Sequence, residues 1–144
     1  MQLKRPESVL VVIRDENNQV LIMQRDDDAD FWQSVTGTIE QGEIPLNAAY
    51  RELAEETGIA LPKSTYPIVD CRLMNQYKIR RAWLYRYPPG SEFNNEYVFS
   101  VKVPAGLHIV LTEHTDFNWT SKQEAMQRVW SKTNRDAIAQ FVPD

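Results

Sequence analysis

The sequence has little cysteine and no long apolar run, and each shortage excludes a class of protein. The only cysteine, Cys71, has no partner for an internal disulfide. A chain without disulfides is typical of a reducing compartment, so we expect a cytoplasmic location. No apolar run approaches the ~18 residues of a membrane span, and the first residues lack the apolar core of a secretory signal. We therefore expect neither a membrane span nor export.

Positive charge is also in short supply. The chain carries 16 lysines and arginines against 20 aspartates and glutamates, which gives a net charge of −4. Proteins that bind nucleic acid or an anionic bilayer through general electrostatics carry a basic surface. We expect no nucleic-acid partner and no membrane partner. Phosphate binding would have to come from metal ions and a local basic patch.

Apolar segments separated by turns predict a sheet-rich fold. With 144 residues and 42 % hydrophobic content, the chain is long enough for one domain with a real core, which we place over residues 1–144. Turn-forming residues at 14–19 and 88–90 separate some of these segments. The predicted strands are 8–13, 20–25, 68–73, 81–87, 95–103 and 116–120, with a brief extension at 109–111.

One early helix is predicted between Pro45 and Gly58. Proline fits the first turn of a helix and glycine fits the position just past its end. Leu46, Ala49 and Leu53 recur at helical spacing and are expected to face the core.

Two residue pairs with the spacing of a helix capping box follow the last predicted strand. Ser121 with Glu124, and Thr133 with Asp136, each match the pattern that begins a helix. The second helix would continue to Phe141. Strands around one early helix, followed by one or two more helices, predict a mixed α/β (α+β) fold.

The early helix carries an unusual acidic face. Glu52, Glu55 and Glu56 are related by three and four residues, so their carboxylates emerge on one side. Like charges near the C-terminal end of a helix repel one another and also oppose its dipole. A hard divalent cation in front of the cluster would remove that repulsion, because Mg²⁺ prefers oxygen ligands and bridges carboxylates to phosphates.

The same stretch resembles the Nudix box, G-x5-E-x7-R-E-U-x-E-E-x-G-U, where U is aliphatic. Every fixed position matches, which makes the signal specific. The matching residues are Gly37, Glu43, Arg51, Glu52, Leu53, Glu55, Glu56, Gly58 and Ile59. The resemblance implies the Nudix fold, a mixed β-sheet sandwiched between helices. It also implies a pyrophosphohydrolase that splits a phosphoanhydride by attack of metal-activated water.

The resemblance assigns roles to residues of the box. Glu52 and Glu56 would be the main Mg²⁺ ligands, with Glu55 and the Gly37 carbonyl supporting and Mn²⁺ as an alternative ion. Arg51 would point away from the metal and pair with Glu43, and Gly58 would be structural. In some Nudix enzymes the general base lies in the box and in others it comes from a later loop. Glu113 is the candidate outside the box, as base or as metal ligand.

The flanking residues resemble one branch of the family, the bacterial dihydroneopterin triphosphate diphosphatases. The likeness is carried mainly by residues 24–27, 30–37 and 112–114. It implies a pterin triphosphate as substrate, cleaved to the monophosphate and pyrophosphate in folate biosynthesis. Lys4 and Arg25 would contact phosphates and Thr36 would donate a hydroxyl near the metal. Thr133 or Asn134 would assist from the last helix.

Each of these substrate contacts has a simpler interpretation. Lys4 is equally consistent with a solvated tail, Arg25 with a partner for the acidic run 26–30, and Thr133 with a helix cap. His114 is expected at the surface, as lone loop histidines usually are.

Other functions and the binding of the ring stay open at this stage. A broader (d)NTP pyrophosphohydrolase, acting for example on dATP or an oxidised nucleotide, would use the same site. A non-catalytic Nudix-like binding module is disfavoured by the complete glutamate set. A flat ring needs a stacking partner, and the sequence offers Trp32, Trp83, Tyr97 and Phe99 without choosing among them. Monomer and homodimer are equally open.

Overall fold

A seven-stranded mixed sheet carries the fold, and helices cover both of its faces. The computed structural model describes residues 2–144. The strands are β1 (Glu7–Asp15), β2 (Val20–Arg25), β3 (Trp32–Gln33), β4 (Val35–Thr38), β5 (Val69–Lys78), β6 (Phe93–Val103) and β7 (His114–Thr120). The helices are α1 (Pro45–Thr57), α2 (Lys122–Arg128) and α3 (Lys132–Phe141), with a 3₁₀ helix at Arg81–Arg86.

The strand β1 is the centre of the sheet. The order is β3-β2-β1-β6-β5, with β4 also paired to β1 and β7 paired to β2. Along one edge β1 changes antiparallel partner, from β4 at Ser8–Val11 to β2 at Arg14, while β6 runs parallel along the other edge. Residues 9–13 are buried without interruption because both faces of β1 are covered.

Alternate residues of the sheet belong to two separate cores. Val9, Val11 and Phe99 pack in the cluster that includes Leu53 of α1. Leu10, Val12 and Val98 pack in the cluster that includes residues of α2 and α3, such as Ile138. The predicted mixed sheet between helices is therefore confirmed. Within residues 2–144, no helix combines the length and apolar content that a bilayer crossing requires.

The early helix begins and ends where the sequence predicts. Pro45 is its first residue and Gly58 caps it in the left-handed conformation at φ 76°. A Cβ on Gly58 would lie 3.2 Å from the Cβ of Val110, so glycine also allows a close approach there. The expected core position of Leu46 is wrong, since its side chain is 37 % exposed. Ala48 is buried instead, and small side chains let this part of the helix lie close to the sheet.

Two predicted strands are absent from the described part of the chain. The predicted strand at 81–87 is a 3₁₀ helix over Arg81–Arg86. The pairing of β5 with β6 ends at Lys78 and Phe93, so the segment between these residues has no strand partner. Its amides turn back locally, as in the 2.8 Å bond from Trp83 to the Arg80 carbonyl. Residues 109–111 are not a strand because the Val110 amide donates to the Thr57 carbonyl at the end of α1.

The two C-terminal helices differ in how well their starts were predicted. Ser121 caps α2 as expected, accepting from the Glu124 amide at 3.2 Å. The predicted cap at Thr133 is wrong. Ser131 caps α3 and accepts from the Asn134 amide at 3.3 Å, so Thr133 lies inside the first turn. The extended backbone of Ser131 places its hydroxyl on that amide.

This assignment predicts a specific loss of stability. Ser131→Ala should lower the free energy of unfolding by about 1 kcal/mol, because an amide at the start of α3 loses its acceptor. Urea denaturation followed by circular dichroism measures the change. Ser64→Ala, in an exposed loop, is the matched control and should change little. Equal stabilities for the two variants would contradict the cap assignment.

Candidate active site

A cavity of about 980 Å³ opens beside the acidic face of α1. Helix α1, strand β4, the loop before β7 and the start of α3 all contribute to its walls. It is lined by every residue predicted to hold metal or substrate: Lys4, Arg25, Thr36, Gly37, Glu52, Glu55, Glu56, Glu113 and Thr133. The structure thus brings residues from both ends of the chain to one place. Which of them bind metal or substrate stays a prediction.

Strand β4 and helix α1 meet at Gly37. A Cβ on Gly37 would lie 2.0 Å from the Cδ of Glu52, so any larger residue would force the Glu52 carboxylate to move away. The absence of a side chain therefore lets the Glu52 carboxylate lie directly against the backbone of β4. The glycine that opens the motif has a geometric reason in this chain.

Arg51 holds the carboxylates at the entrance of α1. It donates to both carboxylate oxygens of Glu43 at 2.8 and 2.9 Å, as predicted. It also donates to the Thr38 carbonyl at 2.9 Å, which ties the helix to β4. The guanidinium lowers the pKa of Glu43, and the carboxylates raise the pKa of Arg51 far above its usual range.

The expectation that Arg51 points away from the metal ligands is wrong for this structure. The same guanidinium contacts Glu52 at 2.7 Å and Glu55 at 3.2 Å. Arginine carries several donors in a planar fork, so it can serve three carboxylates at once. With Glu52 and Glu55 held in this way, no three acidic, histidine or cysteine side chains of residues 2–144 stand close enough to enclose a metal ion.

Glu56 is the buried member of the acidic set. It is 2 % exposed, and its Oε2 atom has no hydrogen-bond partner among the described residues. Burial, together with the neighbouring Glu52, Glu113 and Glu55 carboxylates, raises the pKa of Glu56 to about 10. A buried oxygen without a partner, amid negative charge, is the environment that a divalent cation would satisfy. The donor set therefore fits Mg²⁺ or Mn²⁺.

The loop before β7 brings Glu113 to this cluster. The Thr112 hydroxyl donates to the Glu55 carbonyl at 2.9 Å, which pins the loop to the end of α1. Glu113 is exposed and lines the cavity, near enough to Glu56 to raise the pKa of that residue. The geometry is consistent with a role as base or metal ligand.

His114 is not at the surface, contrary to the expectation. It is 8 % exposed, and its Nδ1 lies 3.8 Å from Oε1 of Glu56 without a hydrogen-bond partner. Its Nε2 lies 3.4 Å from the Gln33 amide nitrogen. Burial lowers the pKa of His114, which favours the neutral ring. The residue begins β7 beside Arg25 rather than belonging to the loop, so its side chain enters the cavity wall.

The predicted basic contacts are present but partly engaged. Arg25 donates to Asp27 at 2.8 and 2.5 Å, which is the simpler interpretation offered by the sequence. Its guanidinium also lies 5.5 Å from the centre of the Trp83 ring. Two further arginines of the cavity were missed: Arg86, which lies in the segment taken for a strand, and Arg80, which directly precedes that segment.

Among the aromatic candidates, Trp83 alone lines the cavity. Phe99 is 2 % exposed in the core, and the Trp32 ring is covered by the Arg128 guanidinium at 4.2 Å. Trp130 was missed, although it also lines the cavity. It stacks on Phe31, with ring centres 4.6 Å apart and planes within 9°.

Strand β6 supplies polar residues that were also missed. Asn94 and Glu96 are 3 % and 5 % exposed and line the cavity, on the same face as the core residue Val98. The sequence signal for this placement was that both residues alternate with the same spacing as the apolar residues of β6 that face the core.

Asn134, the alternative to Thr133 as a substrate contact, is already engaged with Ser34. Its side chain accepts a hydrogen bond from the Ser34 amide and donates one to the Ser34 hydroxyl, both at 2.9 Å.

The raised pKa of Glu56 predicts how stability depends on pH. Between its ordinary value of 4.5 and about 10, the folded protein keeps a proton that the unfolded chain releases. The free energy of unfolding should therefore fall by up to about 1.4 kcal/mol per pH unit in that window. Glu56→Gln should remove this contribution. The free energy of unfolding of the variant, relative to that of the native chain, should therefore increase from pH ~5 to pH ~9.

Urea titrations in a metal-free buffer with chelator measure this difference. Glu92→Gln, at an exposed position outside the cavity, is the matched control and should follow the native profile. A constant difference between Glu56→Gln and the native chain across the range would contradict a protonated, buried Glu56.

Comparison with known proteins identifies the family. The model of the NUDIX domain matches residues 4–141. The chain is 40 % identical over 143 residues to the dihydroneopterin triphosphate diphosphatase of Haemophilus influenzae, covering 99 % of this chain and 90 % of that protein. It is 41 % identical over 140 residues to the enzyme of that name from Escherichia coli K12, covering 96 % and 93 %.

A solved structure agrees with these relatives. The E. coli dihydroneopterin triphosphate pyrophosphohydrolase superposes with a TM-score of 0.91 at 40 % identity, covering 99 % of this chain and 98 % of that chain. The predicted Nudix pyrophosphohydrolase is confirmed at the level of the enzyme family, whose members generally use a divalent metal ion. The chain belongs to the NUDIX domain family.

Proposed function

We propose that the chain hydrolyses 7,8-dihydroneopterin triphosphate to the monophosphate and pyrophosphate, using Mg²⁺. The buried, unpartnered carboxylate of Glu56, set among Glu52, Glu55 and Glu113, carries the chemical part of this proposal. The choice of substrate is supported by the near full-length likeness to two diphosphatases named for it. We also propose that residues 1–144 form one catalytic domain.

The metal site is assigned to the acidic face of α1. Glu52 and Glu56 are the main ligands in this proposal, with Glu55 and the Gly37 carbonyl in support. A divalent cation bound there neutralises phosphate charge and makes water a better nucleophile. Before it binds, Arg51 balances the charge of Glu52 and Glu55. That contact keeps the carboxylates at the cavity in the absence of a cation.

Basic side chains at the cavity offer charge for the triphosphate. Lys4, Arg25, Arg80 and Arg86 all line it. Arg25 would exchange its bond to Asp27 for one to a phosphate oxygen, where a guanidinium binds through two parallel hydrogen bonds. The Thr36 hydroxyl, 3.3 Å from the Gln33 amide, is placed to donate to another oxygen.

The reaction needs a proton acceptor and a leaving group. A water oxygen forms a bond to phosphorus while the bond to the bridging oxygen breaks, and pyrophosphate departs with its negative charge held by the basic side chains. We assign the water proton to Glu113, which is exposed at the cavity and fixed in place through Thr112. Glu56 is less suited to accept it, because in this proposal its carboxylate is already engaged as a main ligand of the metal.

Turnover measurements test the proposal directly. With Mg²⁺ present, dihydroneopterin triphosphate should be hydrolysed with a higher kcat/KM than dATP, an oxidised nucleoside triphosphate or the common nucleoside triphosphates, and pyrophosphate should be the product. Chelation of the metal should abolish turnover. Better turnover of a nucleotide would favour the broader (d)NTP pyrophosphohydrolase, and no turnover of any compound would favour the binding module.

A glutamate variant tests the assigned site. Glu52→Gln keeps the shape of the side chain and removes its charge, so kcat should fall by roughly 100-fold or more while the fold is retained. Glu92→Gln, with the same change of charge outside the cavity, should keep full activity. Full activity in the Glu52 variant would overturn the metal assignment.

A further inference from the structure

Glu96 is a buried carboxylate without a cationic partner. It is 5 % exposed, and none of the ion pairs found between residues 2 and 144 includes it. Its hydrogen bond from the Asn75 amide nitrogen is long, at 3.4 Å. Burial raises the pKa of Glu96, and the Asn75 and Thr133 side chains oppose that shift. Burying such a group costs free energy unless its acceptors are satisfied, so its place in a cavity wall needs a reason.

The sheet fixes the position of Glu96 relative to the acidic face of α1. Glu96 on β6 lies beside Ser8 on β1, and Ser8 lies beside Thr38 on β4. Neighbouring strands are about 4.8 Å apart, so Glu96 stands two strands, or roughly 10 Å, from the strand whose Gly37 contacts Glu52. One cavity includes both positions. A ligand with phosphates near α1 can therefore extend its other end over β6.

The buried polar neighbours of Glu96 on this wall already have partners. The Asn94 amide donates to the Ser8 hydroxyl at 2.7 Å and to the Tyr77 hydroxyl at 3.1 Å. Leu10, also on the wall, is apolar and fully buried. A carboxylate has about four acceptor sites, and Asn75 and Thr133 can occupy only part of them. Glu96 thus keeps acceptor sites that Asn75 and Thr133 do not fill.

We propose that Glu96 determines which ring the site accepts, by binding the 2-amino-4-oxo edge that pterins and guanine share. That edge presents two adjacent N–H groups, which match the two oxygens of a carboxylate. The corresponding edge of adenine presents one donor and one acceptor, so it would leave a carboxylate oxygen facing a ring nitrogen. The inference rests on the proposed function, because it names the part of the substrate that lies away from the phosphates.

A purely structural role for Glu96 makes a different prediction. If the carboxylate only joined Asn75 of β5 to Thr133 of α3, its loss would disturb the whole cavity wall. All substrates would then suffer alike, whatever the ring. Discrimination between rings is therefore the readout that separates a binding role from a structural one.

The test compares four triphosphates with the native chain and with Glu96→Gln. In the variant an amide donor would face a ring N–H, so kcat/KM for dihydroneopterin triphosphate and GTP should fall at least about 10-fold. ITP, which lacks the 2-amino group, should lose less, and ATP should be unchanged or improved. Glu92→Gln should alter none of the four, and thermal unfolding should show that Glu96→Gln keeps its fold.

The outcomes separate this inference from the proposed function. Equal losses for all four compounds, or no loss for the two with a 2-amino group, would overturn the role of Glu96. If the native chain turned over no triphosphate, the proposed function would fail, and calorimetric binding of phosphate-free 7,8-dihydroneopterin would decide the inference. Weaker binding by Glu96→Gln than by Glu92→Gln would support it. Equal binding, or none by the native chain, would overturn it.

Discussion

Repulsion among carboxylates on one face of α1 is the constraint around which the site is arranged. A glutamate as deeply buried as Glu56, with negative neighbours, is stable only when protonated or when a cation lies near. The surrounding structure supplies partial compensation through Arg51, which contacts three carboxylates of the motif. What remains uncompensated is the Oε2 atom of Glu56. A divalent cation would complete that arrangement.

The sheet places this local arrangement beside a cavity. Because β1 exchanges one antiparallel partner for another, β4 can lie beside α1 while β6 continues on the other side of β1. Gly37 brings the acidic face against β4, and β6 presents Asn94 and Glu96 to the same cavity. The acidic face of α1, which lies against β4, and the proposed ring-binding residue Glu96 on β6 are thus about two strands apart, with β1 between them.

The basic and aromatic side chains close the cavity from less regular segments. The Arg80 guanidinium lies 5.2 to 5.6 Å from the ring centres of Trp83, Phe31 and Trp130, so it makes cation–π contacts with all three rings. These side chains come from the 3₁₀ segment and from residues flanking β3 and α3. The glutamates of the acidic face, in contrast, lie on the helix α1.

The sequence predicted the helix α1 and its acidic face well because both are local. Pro45, Gly58 and the spacing of three glutamates are signals contained within one element. The partner of Arg25 was harder to predict. The sequence offered both the substrate and the acidic run 26–30, and only the loop geometry shows the bond to Asp27. The 3₁₀ helix looked like a strand, because alternation alone cannot reveal that its neighbours have already completed their pairing.

Burial of single polar residues was the least predictable feature of the site. His114 looked like a loop residue, and only the pairing of β7 with β2 shows that it enters the cavity wall. Glu96 lay within a strand that alternated acceptably, and its significance depends on a cavity that includes Lys4, 92 positions earlier in the sequence. Thr133 was taken for a cap because the spacing fitted, whereas Ser131 has the backbone conformation that a cap requires.

Proton release on metal binding tests the central claim most directly. Mn²⁺ can be titrated into the metal-free protein by calorimetry at pH ~7.5, in two buffers with different ionisation enthalpies. If a cation replaces the proton of Glu56, about one proton should be released for each ion bound, and Glu56→Gln should lose that release. Binding without proton release would contradict a protonated Glu56 as ligand. No binding at all would contradict the metal site on α1.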